Sequence, residues 1–490
     1  MVNYGWLGEF VNRCFFTFMK LIDLPFFGGQ NFDLLEYRWL HNVETYTLSI
    51  YFVYECIGGN DMESVMEERI HVNGYDLHLI RNQKFKTNSM VAKFKAPLQR
   101  ETITNRALLP YILRQGSKSY PDRLTLQKKL DDLYGAVLSI DGSKKGNNHI
   151  LSFRLDVSNG KYISNESSIL AEAVKLFRDV IFDPNVKEGR FDEHVFNREK
   201  NTLQQKIQSI YDDKLRYANM RLIDEMCEHE AYRFHVHGYE EDLDKMTAES
   251  VYQYYQSMLA EDQLDIYVLG NFEKEPVKKL FTTMIKRQAN HRSTTHSQLT
   301  SPERIQPRKP KEVIEKQAVQ QAKLHIGYRT HCTFKDDDYF ALQVMNGLLG
   351  GFPSSKLFMN VREKHSLAYY AASRIESHKG LMFIFSGIAP ADYERAKQII
   401  SIQVQAIQTG EFTNSQLDET KQQLINQFLE TMDHPQGMIE LLYQQVIADK
   451  RLTPNELIDN INLVSREDVI QVSQKLTEDT TYLLTNGGSN

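Results

Sequence analysis

The chain has 490 residues, 41% of them hydrophobic and 25% charged, with a formal net charge of -6. That is the composition of an ordinary globular protein with more chain than a single core serves, so two or more domains are expected. An acidic balance without a basic stripe excludes a general nucleic-acid binder. Cys14, Cys56, Cys227 and Cys332 are widely spaced and form no C-x-x-C pair, which excludes a disulfide framework or a thiolate zinc knuckle and fits a reducing compartment.

The apolar stretches 14–27 and 46–59 are broken by Lys20, Asp23 and Glu55. They fall short of the roughly 20 uncharged residues that a spanning helix needs. The start of the chain lacks the charged, apolar, small-residue order of a secretory signal, so a cytoplasmic protein with no membrane association is expected. Residues 1–61 are aromatic-rich and show neither a helical nor a strand period. They end in Gly58-Gly59-Asn60-Asp61 directly before Met62, which is what a purine-rich ribosome-binding site and spacer ahead of a start codon would encode. We therefore expect translation to begin at Met62 and 1–61 to be a non-native extension; intact mass showing Met1 in the native protein would refute this.

From Met62 onward the expected elements follow in order. Residues 90–95 alternate as a half-buried strand, 105–115 read as a helix, 126–136 form a further apolar-periodic segment, 149–157 a strand and 167–180 a long helix. Thr247 suits an N-cap, opening an amphipathic helix that runs into an apolar strand over 264–271. The series then repeats: strand 324–329, helix 337–349, segment 357–369, strand 380–387 and helix 391–408. It ends with a helix opening at Ser465, where Ser465 and Asp468 make a capping box, and a strand over 481–487. Thr247 has only Ser250 at the matching position.

Two copies of one unit are therefore expected, an N-terminal domain at 62–288 and a C-terminal domain at 311–490. The segment 289–310 between them is rich in Ser, Thr, Arg, Gln and Pro, which is linker composition. The fold class is α+β: two tandem homologous domains, each an antiparallel sheet covered by helices.

The second copy contains Gly347-Leu-Leu-Gly-Gly-Phe-Pro-Ser-Ser-Lys-Leu-Phe-Met-Asn-Val-Arg-Glu-Lys-His-Ser-Leu-Ala-Tyr369. This resembles the signature of the insulinase, pitrilysin and mitochondrial-processing-peptidase family of zinc peptidases. A weaker similarity covers nearly everything after Met62. Ser366 stands where that family has Gly, so the local turn is expected to differ. The resemblance implies two tandem domains of the LuxS/MPP-like metallohydrolase type.

It also implies an inverted zinc motif, H-x-x-E-H, on the first helix of the first copy, with a later Glu as third ligand. In that arrangement two His at i and i+4 face the metal and the Glu between them activates its water. With Gly116 in the place of the family's following glycine, the motif falls on Ala107-Leu-Leu-Pro110-Tyr111, and the third-ligand position falls on Lys206. Alanine offers no lone pair, proline cannot act as a base, and an ammonium repels a dication. Pro110 is also expected to kink the helix or delay its start. The resemblance thus implies an inactive member with no catalytic residues, no metal and no cofactor.

What it leaves is peptide handling. The glycine-rich segment with Gly350 and Gly351, together with Arg362 and Tyr369, matches positions that contact substrate backbone in family members. The implied partners are a peptide or unfolded segment and an active paralogue carrying H-x-x-E-H, joined in a heterodimer. The nearest resemblance, to bacterial inactive members named for elongation factor P modification, implies the alternative of a non-proteolytic scaffold. A further alternative is a metal site outside the family pattern, built from Cys227, His229, His235 and His237.

Overall fold

The structure, a computed structural model, describes residues 67–163, 169–287 and 309–487. The expected extension 1–61 and almost all of the expected linker 289–310 lie outside the described residues. Strands β1 (Glu67–Val72), β2 (Tyr75–Arg81), β3 (Thr87–Pro97), β4 (Val137–Lys145), β5 (Asn148–Ser158) and β6 (Gln263–Gly270) form one sheet in the order β1-β2-β6-β3-β5-β4. A second sheet holds β7 (Lys311–Lys316), β8 (Ala322–Arg329), β9 (Ala368–Glu376), β10 (Leu381–Ile388) and β11 (Thr477–Thr485) in the order β9-β10-β8-β11-β7. Read from the other side, β7-β11-β8-β10-β9 repeats β2-β6-β3-β5-β4 strand for strand. The fold is α+β and the unit is duplicated; β1 is the only strand of these sheets without a counterpart among the described residues.

The sheets are mainly antiparallel, as expected, and each contains one parallel pair. The first strand of each repeat lies parallel to its last, β2 beside β6 and β7 beside β11, while the remaining pairs are antiparallel. Both sheets are therefore mixed. The parallel partners are separated by the whole repeat, and a long helical crossover can bring a strand back in the same direction where a tight turn cannot.

Helices of the first half are α1 (Ile103–Leu113), α2 (Arg123–Asp132), α3 (Ile169–Phe182), α4 (Glu193–Asp212), α5 (Lys214–Met226), α6 (Ala248–Glu261) and α7 (Lys274–Met284). Those of the second are α8 (Tyr339–Asn346), α9 (Tyr393–Gln408), α10 (Asn414–Met432), α11 (Pro435–Ala448), α12 (Pro454–Leu463) and α13 (Arg466–Gln474). Thr247 and Ser250 do form a reciprocal capping box at the start of α6, the serine hydroxyl serving where a longer acid was expected. None of the helices among the described residues is long and apolar enough to cross a membrane.

Strand alternation sorts the core into layers. Met90, Ala92 and Phe94 of β3 face the first half's own helices, joining Leu108, Val174, Phe177 and Phe281. The opposite face of that sheet, with Ile80, Val91, Tyr267 and Leu269, is covered by Met438, Ile439 and Tyr443 of α11, a helix of the second half. The exchange is mutual. Leu381, Phe383, Tyr482 and Leu484 of the second sheet pack under Tyr217, Leu222 and Met226 of α5, a helix of the first half. Charged groups stitch both crossings. Buried Lys93 pairs with Glu440 of α11, and Arg329 of β8 reaches Glu230 at 2.7 Å and Asp479 at 2.9 Å.

Candidate functional site

Helix α1 carries the positions where the resemblance puts a zinc motif. All of its residues except Asn105 and Tyr111 are buried, so tertiary packing rather than an exposed amphipathic face holds it. Arg106 fixes its depth, with an ion pair to Asp262 at 2.6 Å and a hydrogen bond to the Phe94 carbonyl at 2.7 Å. Of the two effects expected of Pro110, a kink or a delayed start, the delay does not occur: the helix opens at Ile103 and runs on to Leu113. The proline removes the donor that the Arg106 carbonyl would receive, but it sits only three residues from the end, where the buried flank keeps the last turn in place.

α1 lies antiparallel to α4. At one end Gln115 Oε1 accepts from Arg198 at 2.9 Å. At the other, Thr104 Oγ1 accepts from the Tyr239 amide at 3.1 Å, and the next residue, Glu240, accepts from Gln204 and Gln208 at 2.9 and 2.7 Å. Gly238 makes this docking possible: its φ is +73°, and a Cβ there would stand 2.6–2.8 Å from Thr104 atoms. With equal rise along both helices, the pairing of Gln115 with Arg198 brings Lys206 level with Ala107 and Glu199 within a turn of Tyr111. Burial raises the Tyr111 phenol, the Arg114 guanidinium over its ring partly opposes this, and Glu199 adds to it. Alanine, proline, a neutral phenol and an ammonium thus stand at the four positions that the resemblance marks.

The alternative metal cluster does not assemble. Cys227 is wholly buried against the second sheet, and burial pushes its thiol up to about 12. His229 is exposed, whereas His235 bonds Asp224 at 2.8 Å and stacks on Tyr239. The His237 imidazole is pushed down by burial and then by the Lys206 charge. Among the described residues no group of three or more His, Cys, Asp or Glu is arranged to hold a metal ion.

In the second half, residues 347–351 and 358–364 form wide helical turns. Gly350 is buried, and a Cβ on it would lie 2.5 Å from the Ser373 amide nitrogen, so glycine lets this turn lie flat on β9. Gly351 is exposed. Arg362 is half-exposed, 3.5 Å from Glu363 and over the Phe358 ring at 4.6 Å. Tyr369 is the extra residue of a β-bulge at the start of β9, an edge strand, and is 72% exposed. It does not pack in the core. Ser366 takes a φ of +50°, so the turn before Leu367 keeps a glycine-like conformation despite its side chain.

Sequence reasoning did not single out Arg106, which anchors α1, or the open outer edge of β4 beside it. Arg106 stands in an apolar run, and a lone cation there could have signalled a buried pair. Nothing in the sequence marks which strand ends a sheet.

A first-half helix with no metal ligand at the positions the resemblance marks, in a duplicated α+β fold, defines a class: a non-catalytic homologue of a duplicated zinc peptidase. A family model described as the Peptidase M16 inactive domain matches residues 245–424. The chain is 43% identical over 423 residues to the "Probable inactive metalloprotease YmfF" of Bacillus subtilis (strain 168), covering 86% of this chain and 98% of that protein. It is 25% identical over 328 residues to the "Uncharacterized zinc protease YmxG" of the same organism, 65% of this chain and 77% of that one. A crystal structure of a conserved protein from Enterococcus faecalis V583 superimposes with a TM-score of 0.78 at 34% identity, over 86% of this chain and 99% of the other. The chain belongs to the M16 family of insulinase- and pitrilysin-like peptidases. Within that family it is an inactive metalloprotease homologue.

Proposed function

We propose that this chain is the peptide-binding, non-catalytic subunit of a heterodimer whose other subunit is an active M16 paralogue carrying H-x-x-E-H. One contrast carries the reading: Tyr369 and Arg362 are presented to solvent beside an open sheet edge, while the vacated helix holds Ala107, Pro110 and Tyr111 with Lys206 alongside. The first group can take peptide carbonyls and an extended backbone; the second cannot activate water. The partner supplies the metal and the base, and this chain supplies backbone-binding surface. A relative described as a zinc protease is the kind of protein the partner would be. The complex works in the cytoplasm.

Affinity capture of the tagged chain from its native cells, followed by mass spectrometry, tests the pairing. Recovery of a paralogue with an intact H-x-x-E-H motif, and chelator-sensitive peptide cleavage only when both chains are present, is the expected result. A chain that stays monomeric and alone, or that cleaves peptides by itself in a chelator-sensitive way, overturns it. Capture of elongation factor P modification enzymes in place of a paralogue would replace it with the scaffold reading.

A further inference from the structure

Among the described residues, Lys206, level with the vacated helix, forms no ion pair. Lys206 is half-buried on the stripe of α4 that also carries Glu199, seven residues and about two turns away. Four carboxylates of this region are engaged elsewhere. Glu199 is held by Arg198 at 2.7 Å, Asp213 by Arg216 at 3.1 Å and Asp224 by His235 at 2.8 Å. Glu240 is held by Gln204 and Gln208, which lie about 160° around the helix from Lys206. The adjacent imidazole of His237 is kept neutral by burial and by Lys206 itself.

β4 supplies a track past this charge. It is the last strand of its sheet, and its outer edge has no strand partner among the described residues. An extended chain could add there through backbone hydrogen bonds, presenting alternate side chains to the helix side. Ile140 of β4 shares the core that receives α1. Val236 lies over Gly142 of the same strand, one residue before His237, so the loop 234–238 bridges from β4 to the neighbourhood of Lys206. The acid on this strand, Asp141, points the other way: alternation puts Leu138, Ile140, Gly142 and Lys144 on the helix side. Lys144 is already bonded to the Tyr232 carbonyl at 2.7 Å. Among the described residues Lys206 is left without an ion pair here.

We propose that Lys206 turns the vacated helix into a carboxylate-recognition point, at which an extended peptide lying along β4 is read for an acidic side chain or a free C-terminus. The inference deepens the peptide-binding reading above and rests on it. Its ligand is a peptide carboxylate from either source, and it gives the degenerate face a selectivity that loss of the metal alone would not.

The test uses the full chain and fluorescence anisotropy with a fluorescein-labelled pool of 15-residue peptides. The pool is made in two versions, identical but for Glu or Gln at every third position, each with a free or an amidated C-terminus. The expected result is about five-fold tighter binding of the carboxylate versions at low salt, shrinking at 0.5 M salt. Preference confined to the Glu versions assigns the side chain; preference confined to the free-acid ends assigns the terminus. Lys206→Met should abolish the preference and Lys206→Glu should invert it, with thermal melting confirming that both variants fold. Peptide binding without carboxylate preference, or a preference that survives Lys206→Met, overturns this inference and leaves the peptide-binding reading standing. No binding of any pool overturns both.

Discussion

Lys93 on the first sheet and Glu440 on α11 form an ion pair across the two halves, and the lysine side chain is only 2% exposed. The pair is asymmetric. Glu440 has a second cation, Lys145, at 3.2 Å, whereas Lys93 without Glu440 keeps Ser152 at 3.4 Å, the face of Tyr443 and the weaker influence of the Asp141 charge. Burial disfavours the Lys93 ammonium, and the Glu440 charge offsets part of that. Glu440→Gln should therefore cost about 3 kcal/mol in denaturant unfolding and Lys93→Met about 1 kcal/mol, with the double variant near the latter. Equal costs for the two single changes would show that the pair is not the cross-half contact the geometry implies.

Ser366 sits at a backbone angle that L-residues avoid. Because relatives by resemblance have glycine at this point, Ser366→Gly should relieve the strain and stabilise the fold by up to about 1 kcal/mol, read as a raised Tm. A lowered Tm would mean that the hydroxyl makes a compensating contact.

His325 is buried at the second sheet's crossing with α5, edge-on to Phe385 at 5.1 Å, and burial pushes its imidazole down to about 3. Between pH 6.5 and 3 the unfolded chain therefore takes a proton here that the folded chain refuses. Stability present above pH 6.5 is lost as the pH falls toward 3, with a slope approaching about 1.4 kcal/mol per pH unit from this one residue. His325→Leu should remove that share, so wild type should lose stability relative to the variant between pH 6.5 and 4.5 in parallel chemical denaturations. A difference that stays flat over that range would refute it.

Arg362 and Tyr369 touch solvent more than they touch the core. Arg362→Ala and Tyr369→Ala should each leave Tm within about 2 °C of wild type. Each should weaken binding of a labelled peptide pool about three- to ten-fold by anisotropy. Loss of folding in either variant would assign them to the core instead.

The duplication was legible because period and punctuation recur together: hydroxyl caps at Thr247 and Ser465, each before an amphipathic helix and a final strand. The parallel pairing of β2 with β6 was not legible, since it joins residues such as Asp76 and Asp265 that no local pattern connects. The strand that Tyr369 opens was not legible, because a bulge breaks the period where β9 begins. Lys206 could be matched to a ligand position by resemblance, but its place opposite Ala107 depends on how α1 and α4 dock. Cys227 and its histidines looked like a ligand set because they are close along the chain; a helix end and a reversing loop point them in different directions.

Because α5 and α11 are traded between the two sheets, neither repeat can hide its own second sheet face. Each copy, made as a separate polypeptide, would expose a strip of leucine, phenylalanine and tyrosine to water and aggregate unless supplied with its sibling. Two such copies could cover each other only by trading this helix across a two-fold arrangement, and their linkage in one chain makes that encounter intramolecular.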